Sequence, residues 1–250
     1  MEETGKGFWN RLKVEWYRRG LEYSDFGKSV LSIVLPRAEN SKTFLDAGSG
    51  CGALAIPLAK AGKNVTALDP SPYMIGALKE EAEKLGLNNI KTINASWNDV
   101  KLRPHDAIIC ANVPELLKDN AGFLKEANSL AKKMVFLIAG ADPKADKFYY
   151  RELFPLIFKK PFVERSNYLK TYTNLHSLGI FANIEIIEYD FDQPFKDMAE
   201  ALEFWKEYMG IVTEEHDEVL RKFLEKKLKR IKDGLLARFR KKSAVMWWRK

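Results

Sequence analysis

The sequence predicts a doubly wound α/β fold: a mostly parallel seven-stranded sheet, plus N-terminal helices and helical insertions. Three observations predict it. Between residues 43 and 139, short apolar strands alternate with amphipathic helices, the pattern of parallel strands joined by right-handed crossovers. Residues 134–139 are continuously apolar, as a strand buried on both faces requires. The stretch Asp46-Ala47-Gly48-Ser49-Gly50-Cys51-Gly52 stands where the first strand gives way to a helix, so a glycine-rich turn joins the two.

Taken in order, residues 8–20 read as a helix. Trp9, Leu12 and Trp16 recur at helical spacing and Gly20 stands as a stop. Residues 24–35 read as a second helix, opened by Ser24 and closed by Pro36. Strands follow at 43–46, 64–68, 90–94, 106–110 and 134–139. The helices between them span 52–61, 71–85 and 121–131, the second opened by Ser71 as N-cap with Pro72 at its first position. Residues 141–165 break the rhythm as an insertion, and 166–178 read as a helix with Gly179 behind it. Residues 183–189 and 243–248 are the last two strands, with helices expected at 196–210 and 214–232 between them. One domain accounts for the whole chain. It comprises an N-terminal helical cap (1–36), a core (42–140), an insertion with a helix (141–180), and an edge hairpin (183–250) carrying a helical insertion (193–240).

Composition narrows the function. The 250 residues are 46% hydrophobic and 30% charged, the profile of a soluble globular chain. No apolar run approaches the ~20 residues that span a bilayer, so no membrane insertion is expected. The N-terminus lacks the basic and apolar regions of a signal peptide. The two cysteines, Cys51 and Cys110, form no metal-ligand pair and read as free thiols, which points to the cytoplasm. The three histidines are scattered, and no metal site is expected. The net charge of +7 is uneven. Residues 221–250 hold 13 Lys or Arg against two acids, while the remainder carries 28 against 32. The excess is therefore a C-terminal feature.

The chemistry concentrates at the glycine loop. Glycines at 48, 50 and 52 permit a tight turn and let a ligand approach the backbone. The following helix N-terminus adds unpaired amides. Asp46, at the end of its strand, suits a cationic or N–H-bearing group and would repel a pyrophosphate. Asp69 ends the second strand, 17 residues after Gly52, where an acid accepts ribose hydroxyls. Two rival readings exist. The loop and the Asp69-Pro70-Ser71-Pro72 turn can be purely structural. Gly48, Gly50 and Ala53 also satisfy the fingerprint of nicotinamide dinucleotide folds, which Asp46 and the third glycine at 52 disfavour.

On these residues, 42–112 resemble the cofactor half of class I S-adenosylmethionine-dependent methyltransferases. The D-A-G-S-G-C-G loop stands as their first motif and Asp69 as their second. The resemblance implies an antiparallel last strand, with 183–189 and 243–248 as a hairpin at the sheet edge, and it implies S-adenosylmethionine as cofactor and S-adenosylhomocysteine as product. It implies cofactor contacts from Asp46, Gly48, Ser49, Gly50, Gly52, Asp69, Pro70, Met74, Ser96, Trp97 and Asn112. Many family members carry an acid where this chain has Ser96. Trp97 either packs on the adenine or fills the core.

Ligands of such sheets bind beyond the carboxyl ends of the strands, which sets Asn112 and Glu115 beside the methyl donor. His176 is the best placed histidine for a general base. Trp9, Trp16, Tyr17 and Tyr23 are candidates for a lid, and Tyr172 for the acceptor pocket. The expected reaction is methyl transfer to a small molecule. A nucleic-acid methyltransferase using the basic C-terminal region is the alternative, and a binding module that has lost catalysis is the third reading.

Overall fold

The computed structural model describes residues 7–118, 120–142, 148–163 and 168–250. In chain order the elements begin with α1 (Arg11–Glu22), α2 (Phe26–Arg37), β1 (Thr43–Ala47), α3 (Ala55–Lys60), β2 (Asn64–Asp69), α4 (Pro72–Lys84) and β3 (Ile90–Asn94). Then come β4 (His105–Ala111), α5 (Pro114–Leu117), α6 (Ala121–Leu130), β5 (Ala131–Gly140), α7 (Tyr150–Phe158), α8 (Tyr168–Ser177) and β6 (Asn183–Asp190). The chain ends with β7 (Gln193–Phe195), α9 (Met198–Met209), α10 (Asp217–Lys227), β8 (Lys229–Ile231), β9 (Gly234–Ala237) and β10 (Arg240–Arg249).

Seven strands form one sheet in the order β3-β2-β1-β4-β5-β10-β6. β10 runs antiparallel to both of its neighbours and the other pairs are parallel. The chain moves outward one way from β1 through β2 to β3, then the other way from β4. The carboxyl ends of β1 and β4 therefore flank a crevice. Apolar side chains leave the sheet on both sides. One layer, with Phe44, Phe136 and Val245, packs under α2 and α3; the other, with Leu45, Leu137 and Met246, packs under α6 and α8.

Several elements depart from the sequence reading. Gly20 does not stop α1 but sits inside it, because a Cβ there would lie 2.8 Å from the Gln193 side-chain oxygen. The glycine serves close packing of α1 on β7. Pro36 likewise falls inside α2. Residues 52–54 are turn, and α3 starts only at Ala55. The region 193–240 is not wholly helical. α10 ends at Lys227, and β8 and β9 then form a hairpin that pairs with β7 into a three-stranded sheet. Its turn is the pair Lys232-Asp233, and Gly234 opens β9 opposite Ile231. A Cβ on Gly234 would lie 2.1 Å from the Phe195 carbonyl oxygen, so the strand approach demands glycine. Ser166, the expected start of a helix, lies outside the described residues, and α8 is described from Tyr168.

α1 meets the insertion at several points: Asn10 and Lys13 reach Glu207, and Gln193 donates to the Trp16 carbonyl, but Glu200 gathers the most donors. The Glu200 carboxylate on α9 accepts from both Arg19 terminal nitrogens, from the Trp16 indole at 3.3 Å and from the Lys196 amide at 2.7 Å. On the other side of α1, Arg18 reaches Glu80 and Glu81 of α4, each at 3.2 Å. Glu200→Ala would leave the largely buried Arg19 without its counter-charge, at a cost of about 3 kcal/mol. Urea unfolding should show that loss, and Glu200→Gln should recover part of it by restoring the acceptor oxygen. Equal stability of Glu200→Ala and the parent would show that α1 is not held by this group.

Candidate functional site

The crevice is built from the ends of β1 and β2. Gly48 turns the chain at φ 75°, and its amide and that of Ser49 both donate to the Leu68 carbonyl, at 2.8 and 2.9 Å. This folds the loop onto the end of β2. A Cβ on Gly48 would meet Val113 Cγ2 at 2.3 Å, and one on Gly52 would meet Leu78 Cδ1 at 2.5 Å. These two glycines are required by the protein's own packing. Gly50, at φ 53°, is the open one: a Cβ there would come no nearer than 3.8 Å to a neighbour, Met74 Sδ. The Ser49 amide is therefore engaged within the chain, its hydrogen taken by Leu68.

Asp69 is buried and closes the loop from the β2 side. Its two carboxylate oxygens accept from the Gly50 and Ser71 amides, each at 2.9 Å. Burial raises its pKa and these two amides oppose the rise. Ser71 in turn caps α4 by accepting from the Met74 amide at 3.3 Å. Asn94 donates to the Asp69 carbonyl at 3.0 Å, a support that the sequence reading missed. Only its place at the end of β3 hinted at it.

Asp46 is buried beside this pair, and its Oδ2 has no hydrogen-bond partner. The Ser49 hydroxyl is equally buried and equally unpartnered. Burial pushes the Asp46 carboxyl up to about 7, with repulsion from Asp69 adding to it and a hydrogen bond from the Ala55 amide opposing it. Two orphaned polar atoms in one crevice are costly unless something meets them.

The remaining predicted residues divide. Met74 is buried with Cys51 under the loop, and Pro70 is half-buried. Asn112 ends β4 in the left-handed region at φ 56°. Its amide donates to the Ile138 carbonyl at 2.9 Å and its side chain hydrogen-bonds the Tyr189 hydroxyl. Glu115 is exposed on α5, close enough to raise the pKa of Asp69. Ser96 is half-buried at the start of a short 3₁₀ turn. Trp9 and Tyr17 cover the loop, packed against Val14, Cys51 and Met74.

Five residues fall elsewhere. Trp97 belongs to the core, donating to Glu126 at 2.6 Å with its ring edge-on to Phe123. Trp16 is fully buried between α1 and α9. Its separation from Trp9 has a simple cause: Asn10 caps α1, so Trp9 precedes the helix and helical spacing does not relate the two. Tyr23 is 43% exposed at the end of α1. His176 is exposed, with its ring edge-on to Phe181. That contact lies just ahead of β6, at the amino ends of the parallel strands and opposite the crevice. Tyr168, Tyr172 and His176 do share a helix face, but each turn carries the row about 5.4 Å further from the crevice. Tyr172 itself is half-buried in the packing beneath α8.

Among the described residues, no group of three or more His, Cys, Asp or Glu is placed to hold a metal ion. No helix among them is long and apolar enough to cross a membrane.

The raised pKa of Asp46 has a consequence for stability. Between about pH 4 and 7 the folded chain holds a proton on Asp46 that the unfolded chain releases, so stability falls as pH rises through that window. Asp46→Asn removes the penalty while keeping an acceptor for the Ala55 amide. Urea titration should find the ligand-free variant more stable than the parent at pH 8, by roughly 1–3 kcal/mol, and equal to it near pH 4. The same difference at both pH values would contradict the assignment.

The comparisons with known proteins converge on one family. The model described as a methyltransferase domain matches residues 38–216. An uncharacterised protein of Haemophilus influenzae is 27% identical over 254 residues, covering 96% of this chain and 90% of its own length. A ubiquinone biosynthesis O-methyltransferase of Methylocella silvestris is 38% identical over 100 residues, which cover 39% of this chain and 38% of that protein. The crystal structure of a methyltransferase candidate from Bacillus halodurans shares the fold, with a TM-score of 0.57 at 18% identity over 89% of this chain and 99% of that one. The chain belongs to the methyltransferase domain family and is an S-adenosylmethionine-dependent enzyme of the class I fold.

Proposed function

We propose that the chain transfers a methyl group from S-adenosylmethionine to a small-molecule acceptor. The observation that carries this reading is the unpartnered Asp46 Oδ2, buried beside an equally unpartnered Ser49 hydroxyl. A cationic, hydrogen-bond-donating ligand satisfies both atoms and restores the charge that burial suppresses. The residues present therefore fit the cofactor. Asp46 accepts from its ammonium group, Asp69 retains lone pairs for the ribose hydroxyls, and Gly50 leaves room over the loop. Met74, Ser96 and Asn112 complete the proposed contacts.

When bound, the cofactor supplies an activated methyl group. The protein's share is to hold an acceptor in line with it and to exclude water. Asn112 and Glu115, at the carboxyl end of β4 and the start of α5, are proposed to face the acceptor. Glu115 takes the acceptor's proton where one must leave.

The roof over the loop supports a small acceptor. Trp9 and Tyr17 lie over Cys51 and Met74, and α1 is held to α4 and α9 by ion pairs. The basic C-terminal residues are spread over α10, the β8–β9 hairpin and β10. Several are paired: Lys222 with Glu218, Lys227 with Glu152, and Lys242 with Glu188. This distribution supports a solvated surface over a continuous phosphate track, and strong salt dependence of RNA or DNA affinity would argue the other way.

Calorimetry with S-adenosylhomocysteine tests the reading. Asp46→Asn and Asp69→Asn should each weaken binding by roughly 10- to 100-fold. Affinity in the parent should rise as pH rises toward about 7 and then level off, because the ionised Asp46 is the form that holds a cation. Absence of binding, or a pH-independent affinity unaffected by Asp46→Asn, would remove the proposal.

A further inference from the structure

The cap, the insertion and the end of the large sheet meet beyond Asp46 in a closed circuit of side chains. Phe8 stands edge-on to Trp9 with ring centres 5.0 Å apart. Trp9 lies 5.4 Å from Tyr17, and Tyr17 lies 5.8 Å from Phe191. In the other direction Phe8 lies 5.8 Å from Tyr208, and Tyr208 lies 5.1 Å from Phe148. The Lys241 ammonium closes the circuit, 4.1 Å from the Phe191 ring centre and 5.5 Å from that of Phe148. These rings come from α1 and its approach, the segment before α7, the end of β6, and α9. No local sequence feature requires them to meet.

The circuit adjoins the cofactor loop. Burial raises the Tyr17 hydroxyl above its ordinary range, and Cys51, Tyr189, Tyr208 and Asp46 raise it further. Tyr17 therefore stands between the loop and two other tyrosine hydroxyls. Among the described residues, the Tyr17 and Tyr208 hydroxyls have no protein hydrogen-bond partner, yet neither is sealed from solvent. Both residues are half-buried. The Tyr189 hydroxyl is engaged differently, 3.0 Å from Ser243 Oγ and bonded to the Asn112 side chain. It fixes Asn112 at the edge of the same space.

The charges already present select among acceptors. The Lys13 ammonium lies 4.4 Å from the Phe8 ring centre and 5.8 Å from that of Tyr208, with Glu207 at 3.4 Å. Two ammonium groups thus lie over rings of this circuit, where an aromatic cage would otherwise receive a cation. A cationic acceptor would meet like charge there. A flat neutral ring meets aromatic faces and edges, and its hydroxyl meets two phenols in need of partners.

We propose that this circuit encloses the acceptor site and that the acceptor is a planar aromatic compound bearing a hydroxyl, taken in its neutral or anionic form. The proposal rests on the methyl-transfer reading and names the acceptor class for it.

The test uses the full-length protein saturated with S-adenosylhomocysteine and three probes: 2-naphthol, decahydro-2-naphthol and tetramethylammonium. Calorimetry should find 2-naphthol binding at least about tenfold tighter than its saturated analogue, with tetramethylammonium weaker than both. Tyr17→Phe and Tyr208→Phe should each weaken 2-naphthol by roughly three- to tenfold, and Tyr208→Phe should leave S-adenosylhomocysteine affinity within about twofold of the parent. Circular dichroism confirms that each variant is folded; should Tyr17→Phe fail that check, Tyr208→Phe decides alone. S-adenosylhomocysteine binding without preference for 2-naphthol, or with tetramethylammonium preferred, overturns the chamber proposal alone. Failure of S-adenosylhomocysteine itself to bind overturns the methyl-transfer reading and the chamber with it.

Discussion

Two carboxylates held out of water at the ends of neighbouring strands govern this site. Asp46 and Asp69 are both buried, and burial first and then the Asp69 charge raise the cost of ionising Asp46. Asp69 is compensated by two backbone amides. Asp46 is compensated only in part, and one of its oxygens has no partner. A fold tolerates such an atom when a ligand supplies what the chain withholds. The loop geometry follows from the same requirement. Gly48 and Ser49 are folded back onto Leu68, which brings the Gly50 amide to Asp69 and leaves Asp46 facing the crevice.

The cap depends on that loop. Trp9, Val14 and Tyr17 present apolar or aromatic surface to Cys51, Met74 and Ala77. Ion pairs to α4 and α9 then set the angle of α1. The insertion between β6 and β10 thereby acquires a part in the site. It supplies Glu200 to hold the cap and Tyr208 to line the space beneath it. The small sheet β7-β9-β8 fixes α9 at the carboxyl end of β6 and the amino end of β10, since the Phe191 amide donates to the Phe239 carbonyl as the chain leaves and re-enters the large sheet.

Much of the fold was legible in the sequence because it rests on short-range rules. The alternation of strands and helices, the Ser71-Pro72 start of α4 and the apolar run of β5 each involve neighbours in the chain. The glycine loop was legible for the same reason, though its glycines answer to Val113 and Leu78 as much as to any ligand. Errors arose where distant segments override local preference. Gly20 looked like a helix stop and is a packing contact with Gln193. Leu228 and Ile231 kept helical spacing, yet the chain reverses at Lys232-Asp233 so that β9 pairs with β8 and β7.

The sequence by itself determined the architecture and the acidic glycine loop, because periodicity, turn chemistry and the conformational demands of glycine act within a few residues. Tertiary structure alone decided which polar atoms are left without partners and which aromatic residues share the site. Trp9 and Trp16 are seven residues apart and end on different sides of α1's packing, one over the loop and one against α9. His176 lies on a suitable helix face at the wrong end of the sheet. Such outcomes depend on contacts between segments up to about two hundred residues apart, whose distances no local pattern encodes.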